Sequence, residues 1–290
     1  MHSEDATSAA EDAEYRQRST ANWQTAAAGW ESERDRMRQI SAPVTDWLVD
    51  HLELASGLTV LELAAGPGIT GFLAAELITP GGRLISSDFA EPMLEVARQR
   101  ATQLGLDNVE FRVVDAESID LDTASVDAVL CRWGYMLMAD PAAALSETRR
   151  VLRPGGRVAL AAWDAAETNP WATATMPSLL KRKLMPVPDP KDPGMFAFAG
   201  PGKLEGLLGD AGFLDVEVGT VDVEMVYDDV GDYLAVTTDC SRPFADAMAA
   251  SDEATRAEVA EETGQALEPF QAEGGGLRVP GRTLVAAASG

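Results

Sequence analysis

The sequence predicts an α/β fold: a mostly parallel β-sheet covered by helices on both faces. Between Gly57 and Trp163, short apolar runs alternate with stretches of helical periodicity, the pattern of strands buried on both sides and joined by crossover helices. The chain of 290 residues, 46% hydrophobic, is long enough for one such core with helical additions and short for two domains.

Residues 1–18 are rich in Ser, Glu, Asp and Ala without apolar periodicity, which predicts a mobile acidic arm, with structure beginning near Ser19. Residues 19–54 read as a helical lid of two helices. Trp23, Ala26, Ala27 and Trp30 share one face, Val44, Trp47, Leu48 and Leu52 another, and Pro43 fits the first turn of the second helix. The remainder, 55–290, reads as one domain. Strands are expected at 59–63, 83–87, 109–114, 126–131 and 157–163, with helices at 69–78, from Pro92 to Gly105 and at 141–152 crossing between them. Residues 164–200, broken by six prolines from Pro170 to Pro193, look like an insertion over the sheet's active edge. A helix at 203–210 precedes alternation in Val216, Val218, Val221 and Val223, which reads as a sixth strand. A second helical excursion, 232–272, leads to a final strand at 283–287.

Composition narrows the function. The formal charge is −24, and residues 201–290 carry 18 Asp and Glu against 5 Lys and Arg, so that segment reads as a solvated acidic surface. Nucleic-acid binders gain affinity from Lys and Arg that displace counterions from phosphates, so no nucleic-acid partner is expected. No stretch approaches about 18 uninterrupted apolar residues, and the N-terminal residues lack an apolar signal core, which predicts no membrane span and a cytoplasmic location. The two cysteines, Cys131 and Cys240, and two histidines, His2 and His51, cannot supply a four-ligand metal site with ordinary spacing, nor a disulfide scaffold. Both cysteines are expected to be plain buried residues.

Residues 61–71, Leu-Glu-Leu-Ala-Ala-Gly-Pro-Gly-Ile-Thr-Gly, join the first strand to the first crossover helix. Gly66 and Gly68 lack Cβ, so the chain can turn sharply and a ligand can lie against bare backbone near the donor-rich start of the helix. The string Gly66-x-Gly68-x-x-Gly71 fits the dinucleotide fingerprint, although a glycine-rich turn that binds nothing has the same spacing. Asp88 ends the second strand, where a carboxylate accepts hydrogen bonds from both hydroxyls of a ribose; a helix cap ahead of Pro92 is its alternative use. Asp115 follows the third strand, placed either to accept from an adenine amino group or to start a turn. Asp127 begins its strand at the opposite edge and reads as structural.

These segments in this order, together with Val114-Asp115-Ala116, residues 127–133 and the turn Arg150-Val151-Leu152-Arg153-Pro154-Gly155-Gly156, resemble class I S-adenosylmethionine (SAM)-dependent methyltransferases, particularly the ubiquinone/menaquinone C-methyltransferase-like group. The resemblance covers about residues 59–163 and extends loosely to Leu277-Arg278-Val279-Pro280. It implies a Rossmann-like, seven-stranded, mostly parallel sheet and SAM as cofactor. It also implies roles position by position. Glu62 matches the acid that holds the cofactor's amino group, directly or through water, and Ala64, Gly66 and Gly68 match the loop around its methionine part. Asp88 matches the ribose-binding acid, Phe89 and Met93 the positions that pack on adenine, and Asp115 with Ala116 the adenine-edge pair. Cys131 and Arg132 match the turn beside the sulfonium. Trp30 stands where many relatives close an aromatic residue over the cofactor, or else packs between helices. The loop departs from the usual pattern at Ala65 and Pro67-Gly68-Ile69, where Pro67 stiffens it.

Methyl transfer from a sulfonium needs an in-line nucleophile about 3 Å away, and positioning supplies much of the rate. The expected acceptor is a small apolar or aromatic metabolite received under the insertions at 164–200 and 232–272. Trp133, Trp163 and Trp171 either line that pocket or pack in the core. No catalytic residue is assigned; Asp164, Tyr135 or a carboxylate of the insertions are the available bases. Two other readings remain open. An NAD-dependent oxidoreductase would share the glycine loop and Asp88 but not Glu62 or the Arg153–Gly156 turn, and a non-catalytic SAM-binding module would share all of them.

Overall fold

The computed structural model describes residues 2–189 and 192–290, with side chains from residue 12 onward. Helix α1 (His2–Ser32) and helix α2 (Arg34–His51) open the chain. There follow β1 (Thr59–Glu62), α3 (Gly71–Leu77), β2 (Arg83–Asp88), α4 (Glu91–Leu104), β3 (Val109–Val113), β4 (Val126–Arg132), α5 (Pro141–Val151) and β5 (Leu152–Trp163). Short helices α6 (Pro170–Thr173), α7 (Met176–Lys181) and α8 (Lys203–Asp210) lead to β6 (Leu214–Tyr227). Helices α9 (Val230–Cys240), α10 (Arg242–Ala249) and α11 (Glu253–Leu267) precede β7 (Leu277–Ser289).

The strands form one seven-stranded sheet in the order β3-β2-β1-β4-β5-β7-β6, in which β7 runs antiparallel to both of its neighbours and the other pairs are parallel. The local chemistry of the crossovers matches the expectation. Asp140 caps α5 by accepting from the Ala143 N–H at 2.9 Å, with Pro141 at the first helical position, and Gly105 ends α4 in the left-handed conformation (φ 70°). The sheet core is aliphatic. Val60, Leu84, Val129, Leu130, Val158 and Leu160 are fully buried, each contributing about 1.5–3 kcal/mol of burial free energy.

Three expectations need correction. The acidic N-terminal arm is not separate from the folded chain: α1 runs unbroken from His2, and its residues from Tyr15 onward dock on the domain; Met1 lies outside the described residues. The break between the first two helices falls at Glu33, and Pro43 sits inside α2, where the burial of Ile40, Val44 and Leu48 holds the helix together across the missing N–H. The last two strands are longer than the alternation suggested, 14 and 13 residues, and Leu277-Arg278-Val279-Pro280 belongs to β7 rather than preceding it. Pro280 is accommodated because β5 pairs with β7 only from Thr283 onward, so at Pro280 the strand has a neighbour on one side alone.

Helix α1 lies across α4 and α9. Ala26, Ala27, Ala90 and Met93 form a small cluster separate from the sheet core, with Trp23, Trp30 and Phe89 around it. At the crossing with α9, a Cβ on Gly29 would strike the backbone of Asp239, so the glycine sets how closely the two helices approach.

Candidate active site

The chain leaves β1 toward β2 and leaves β4 toward β5, in opposite directions along the sheet, which opens a crevice at the carboxyl ends of β1 and β4. Ala64 (φ 52°) and Trp133 (φ 61°) hold left-handed backbone just past these two strands. Such conformations cost a non-glycine residue about 1–3 kcal/mol and gather at functional sites.

Glu62 is only 2% exposed. Its Oε1 accepts from the Gly71 N–H at 2.7 Å and its Oε2 from the Ser86 hydroxyl at 3.0 Å, so the carboxylate ties the end of β1 to the start of α3 and to β2. A Cβ on Gly71 would collide with that carboxylate. Burial pushes the Glu62 pKa up to about 7, against the pull of the two hydrogen bonds and of Arg132. Asp88 accepts from the Gly66 N–H through Oδ2 and from the Ala90 N–H through Oδ1, both at 2.9 Å. It therefore braces the glycine loop and the turn into α4 at once, and burial raises its pKa. The expected helix-cap use is not realised, because Ala90 is the N-cap residue of α4 and no side chain caps that helix; Asp88 lines the crevice.

A cavity of about 170 Å³ fills the crevice. It is lined by Ala64, Gly66 and Asp88, by Phe89, Met93, Asp115 and Ala116, and by Arg132, Trp133, Leu137 and Met138. The wall over them is α1, through Tyr15, Arg16, Ser19, Thr20, Trp23 and Trp30. Tyr15 donates its hydroxyl to the Leu137 carbonyl at 2.8 Å, and Arg16 Nε donates to Glu117 Oε2 at 2.9 Å. The other Glu117 oxygen accepts from the Ala139 N–H at 2.8 Å and from the Asp140 N–H at 3.2 Å. One carboxylate thus joins α1, the turn after β3 and the segment after β4. Asp115 starts that turn by accepting from the Glu117 N–H at 2.9 Å.

Two residues of the cavity wall each carry a buried donor without a partner among the described residues: Trp30 Nε1 and Arg132 Nη1. Arg132 Nε donates to Thr70 Oγ1 at 2.6 Å, and its guanidinium lies 4.4 Å from the centre of the Trp133 ring. Burial lowers the Arg132 pKa to about 10, which leaves it charged at neutral pH.

The structure brings Trp30, Ala64, Gly66, Asp88, Phe89, Met93, Asp115, Ala116 and Arg132 together on the cavity wall. It does not bring Glu62, Gly68 or Cys131 there. Glu62 acts from behind the loop, Gly68 faces the Phe72 ring, and Cys131 is wholly buried, with its thiol pushed up to about 12. The pocket expected under the insertions also moves. Trp163 stacks on Trp133 at 4.2 Å and meets Trp171 edge-on at 4.8 Å, and of the three only Trp133 reaches the cavity. Tyr135 is fully buried with its hydroxyl paired to Thr148 Oγ1 at 2.6 Å, and neither it nor Asp164 lines the cavity, so neither is placed as a base. Tyr15, Arg16, Ser19, Thr20 and Trp23 were not expected at the site. The signal was the helical spacing of Tyr15, Ser19, Trp23 and Trp30 along one face, interrupted by charges. Among the described residues there is no group of His, Cys, Asp and Glu side chains able to hold a metal, and no helix long and apolar enough to cross a membrane.

Residues 54–192 match the Methyltransferase domain family. An arsenite methyltransferase of Halobacterium salinarum is 30% identical over 201 residues, which cover 67% of this chain and 49% of that protein. A demethylmenaquinone methyltransferase of Clavibacter sepedonicus is 41% identical over 105 residues, 36% of this chain and 41% of that one. The chain therefore spans about half, or less, of the length of these curated relatives. Among solved structures, the YcgJ protein of Bacillus subtilis superposes with a TM-score of 0.58 at 17% identity, covering 84% of this chain and 97% of that one, a likeness of fold. Sheet order, glycine loop and the carboxylate at the end of β2 accord with the match of residues 54–192 to a methyltransferase domain. Over about two fifths of its length the chain is similar to members of the ubiquinone/menaquinone C-methyltransferase-like group.

Proposed function

We propose that the chain is an enzyme that transfers the methyl group of SAM to a small, apolar or aromatic metabolite. The observation that carries this reading is the cavity between the glycine loop and α1, lined by Gly66 and Asp88 together with Phe89, Met93, Asp115, Ala116 and Arg132. These residues fit SAM. The free lone pairs of Asp88 suit a ribose, Phe89 and Met93 offer an apolar face for adenine, and the adenine edge falls to Asp115 and Ala116. A Cβ on Gly66 would meet no atom within 4 Å, so the space in front of this backbone is open to the methionine part, beside Ala64 and Arg132. Glu62 and Gly68 shape the loop from behind, and Cys131 supports the turn after β4.

SAM supplies an electrophilic methyl on a sulfonium. The protein's share is placement: Tyr15, Trp23, Leu137 and Met138 make the remaining wall largely apolar, which excludes water and favours an apolar or aromatic acceptor lying against it. The acceptor then enters between α1 and the segment after β4 rather than under the insertions. An arsenite acceptor, named for one relative, finds no support in the thiols: Cys131 on β4 and Cys240 on α9 are each pushed up to about 12 by burial. Thermal shifts with SAM, S-adenosylhomocysteine (SAH), NAD and NADP test the cofactor, and stabilisation by NAD alone would refute it. Labelled SAM with a metabolite library tests the transfer; tight SAM binding with no label moved would favour a non-catalytic module.

A further inference from the structure

We propose that Glu117 is the positioning residue of the acceptor wall and that the adenine half of the cofactor sets it, drawing α1 onto the cavity; the inference rests on the SAM reading above. Helix α1 meets the space expected for adenine on two sides. At its face, Trp23 and Trp30 of α1 join Phe89 and Met93 in one small apolar cluster. At its edge, Asp115, Ala116 and Glu117 line the cavity in one tight turn. The Asp115 carboxylate accepts there from the Glu117 N–H at 2.9 Å, and the Asp115 carbonyl from the Ser118 N–H at 3.0 Å. A ligand resting on Asp115 and Ala116 therefore fixes the backbone from which the Glu117 side chain leaves.

That side chain, 10% exposed, reaches both other walls. Its Oε2 takes Arg16 of α1, and its Oε1 takes the N–H groups of Ala139 and Asp140, directly after Leu137 and Met138. Tyr15 completes the ring of contacts by donating to the Leu137 carbonyl. The turn at the adenine edge, the start of the docked part of α1 and the segment after β4 thus share one carboxylate, and a shift of any of them weakens charge-assisted hydrogen bonds to the others. The methionine part is expected elsewhere, against Ala64, Gly66 and Arg132. A ligand shifts an equilibrium only by its differential affinity for the two states. The adenine half has that differential, because α1 meets its pocket at both face and edge, so it favours the docked helix and, through Glu117, the wall of Leu137 and Met138.

Hydrogen exchange read by mass spectrometry tests this on the full chain, alone and saturated with SAH or with adenosine, saturation being checked by calorimetry. Adenosine should slow exchange at residues 15–24 and 137–140 as much as SAH does, by about tenfold, a coupling of the size found between linked sites. In Glu117→Ala, bound adenosine should slow residues 137–140 by less than about threefold, while β1 and β4 exchange at wild-type rates; a merely structural loss would move those strands as well. Glu117→Gln should restore part of the protection. Arg16→Ala should separate the two arms: protection of 15–24 falls and that of 137–140 remains, because Glu117 still holds Ala139 and Asp140. Protection by SAH but not by bound adenosine, adenosine that fails to bind where SAH binds, rates that neither ligand changes, or full protection of 137–140 in Glu117→Ala would each overturn the assignment. The wild-type comparison needs no variant, so a variant that fails to fold leaves it decisive. A chain that binds neither ligand would remove the cofactor reading itself, a different result from binding without protection.

Discussion

Arg16 of α1 and Glu117 of the turn after β3 meet across the cavity, Nε to Oε2 at 2.9 Å, from positions 101 residues apart. With Tyr15 on the Leu137 carbonyl, this contact holds the N-terminal helix over the crevice at the carboxyl ends of β1 and β4. Access to the cavity then depends on how tightly α1 is held, and the pair sets part of that.

Arg16→Ala should weaken SAH binding about two- to fivefold, because a partly exposed ion pair contributes about 1 kcal/mol or less. Glu117→Gln should cost about tenfold, since it leaves Arg16 unpaired and weakens the bonds to the Ala139 and Asp140 N–H groups as well. The Arg16→Ala effect should shrink at high salt. Wild-type affinity in both variants, measured by calorimetry, would show that α1 does not close the site.

Asp88→Ala should weaken SAM and SAH by about 1–3 kcal/mol, the scale of losing hydrogen bonds to a charged acceptor. It should also lower stability, because the Gly66 and Ala90 N–H groups lose their acceptor. Binding and denaturation measured together separate the two effects. A stable, folded Asp88→Ala protein of unchanged affinity would remove Asp88 from the ribose.

Glu62 makes stability depend on pH with a definite sign. An unfolded glutamate titrates near its ordinary 4.5 and Glu62 in the fold near about 7, so between these values the folded chain keeps a proton that the unfolded chain has lost. Its contribution to stability is greatest below the lower value and is lost as pH rises through the window. The total loss is at most about 3 kcal/mol. Glu62→Gln should abolish this slope, gaining on the wild type from pH 5 to pH 8 in urea denaturation. Parallel pH profiles for the two proteins would place the ionisation elsewhere.

Two glycines of the loop should respond differently to the same substitution. Gly71→Ala forces a methyl onto the Glu62 carboxylate and should destabilise the protein by about 1–3 kcal/mol, as overpacking does. Gly66→Ala meets no atom but holds φ 54°, so it should cost about 1 kcal/mol in stability and fall mainly on ligand affinity. Chemical denaturation and SAH titration of both variants check the contrast; equal stability losses would contradict it.

The sheet and its loop were legible because their signals are local. The apolar run of β1, the glycines after it, Asp88 at the end of β2 and Asp140-Pro141 at the start of α5 each act within a few residues of chain, and the structure returns them in place. Asp115 was legible only as a choice between two roles; its bond to the Glu117 N–H realises the turn, and its place on the cavity wall keeps the other use available. The strands β6 and β7 were underestimated where Pro280 and Gly281 interrupt alternation that long-range pairing tolerates.

The wall formed by α1 is the opposite case. Tyr15 and Arg16 stand in a polar, acidic stretch and acquire a role only through Leu137 and Glu117, 122 and 101 residues away. The same holds for Glu62, whose position in the loop motif was plain. That its carboxylate turns inward to Gly71 and Ser86, rather than into the cavity, depends on how β1, β2 and α3 pack. The residue pattern of the chain sufficed for the class of fold and the glycine loop, because those rest on backbone conformations and periodicities written into neighbouring residues. Which side chains face the cavity, and that the cover expected from 19–54 extends back to Tyr15 and Arg16, came from packing between distant segments, where hydrogen bonds and burial join residues that no local rule relates.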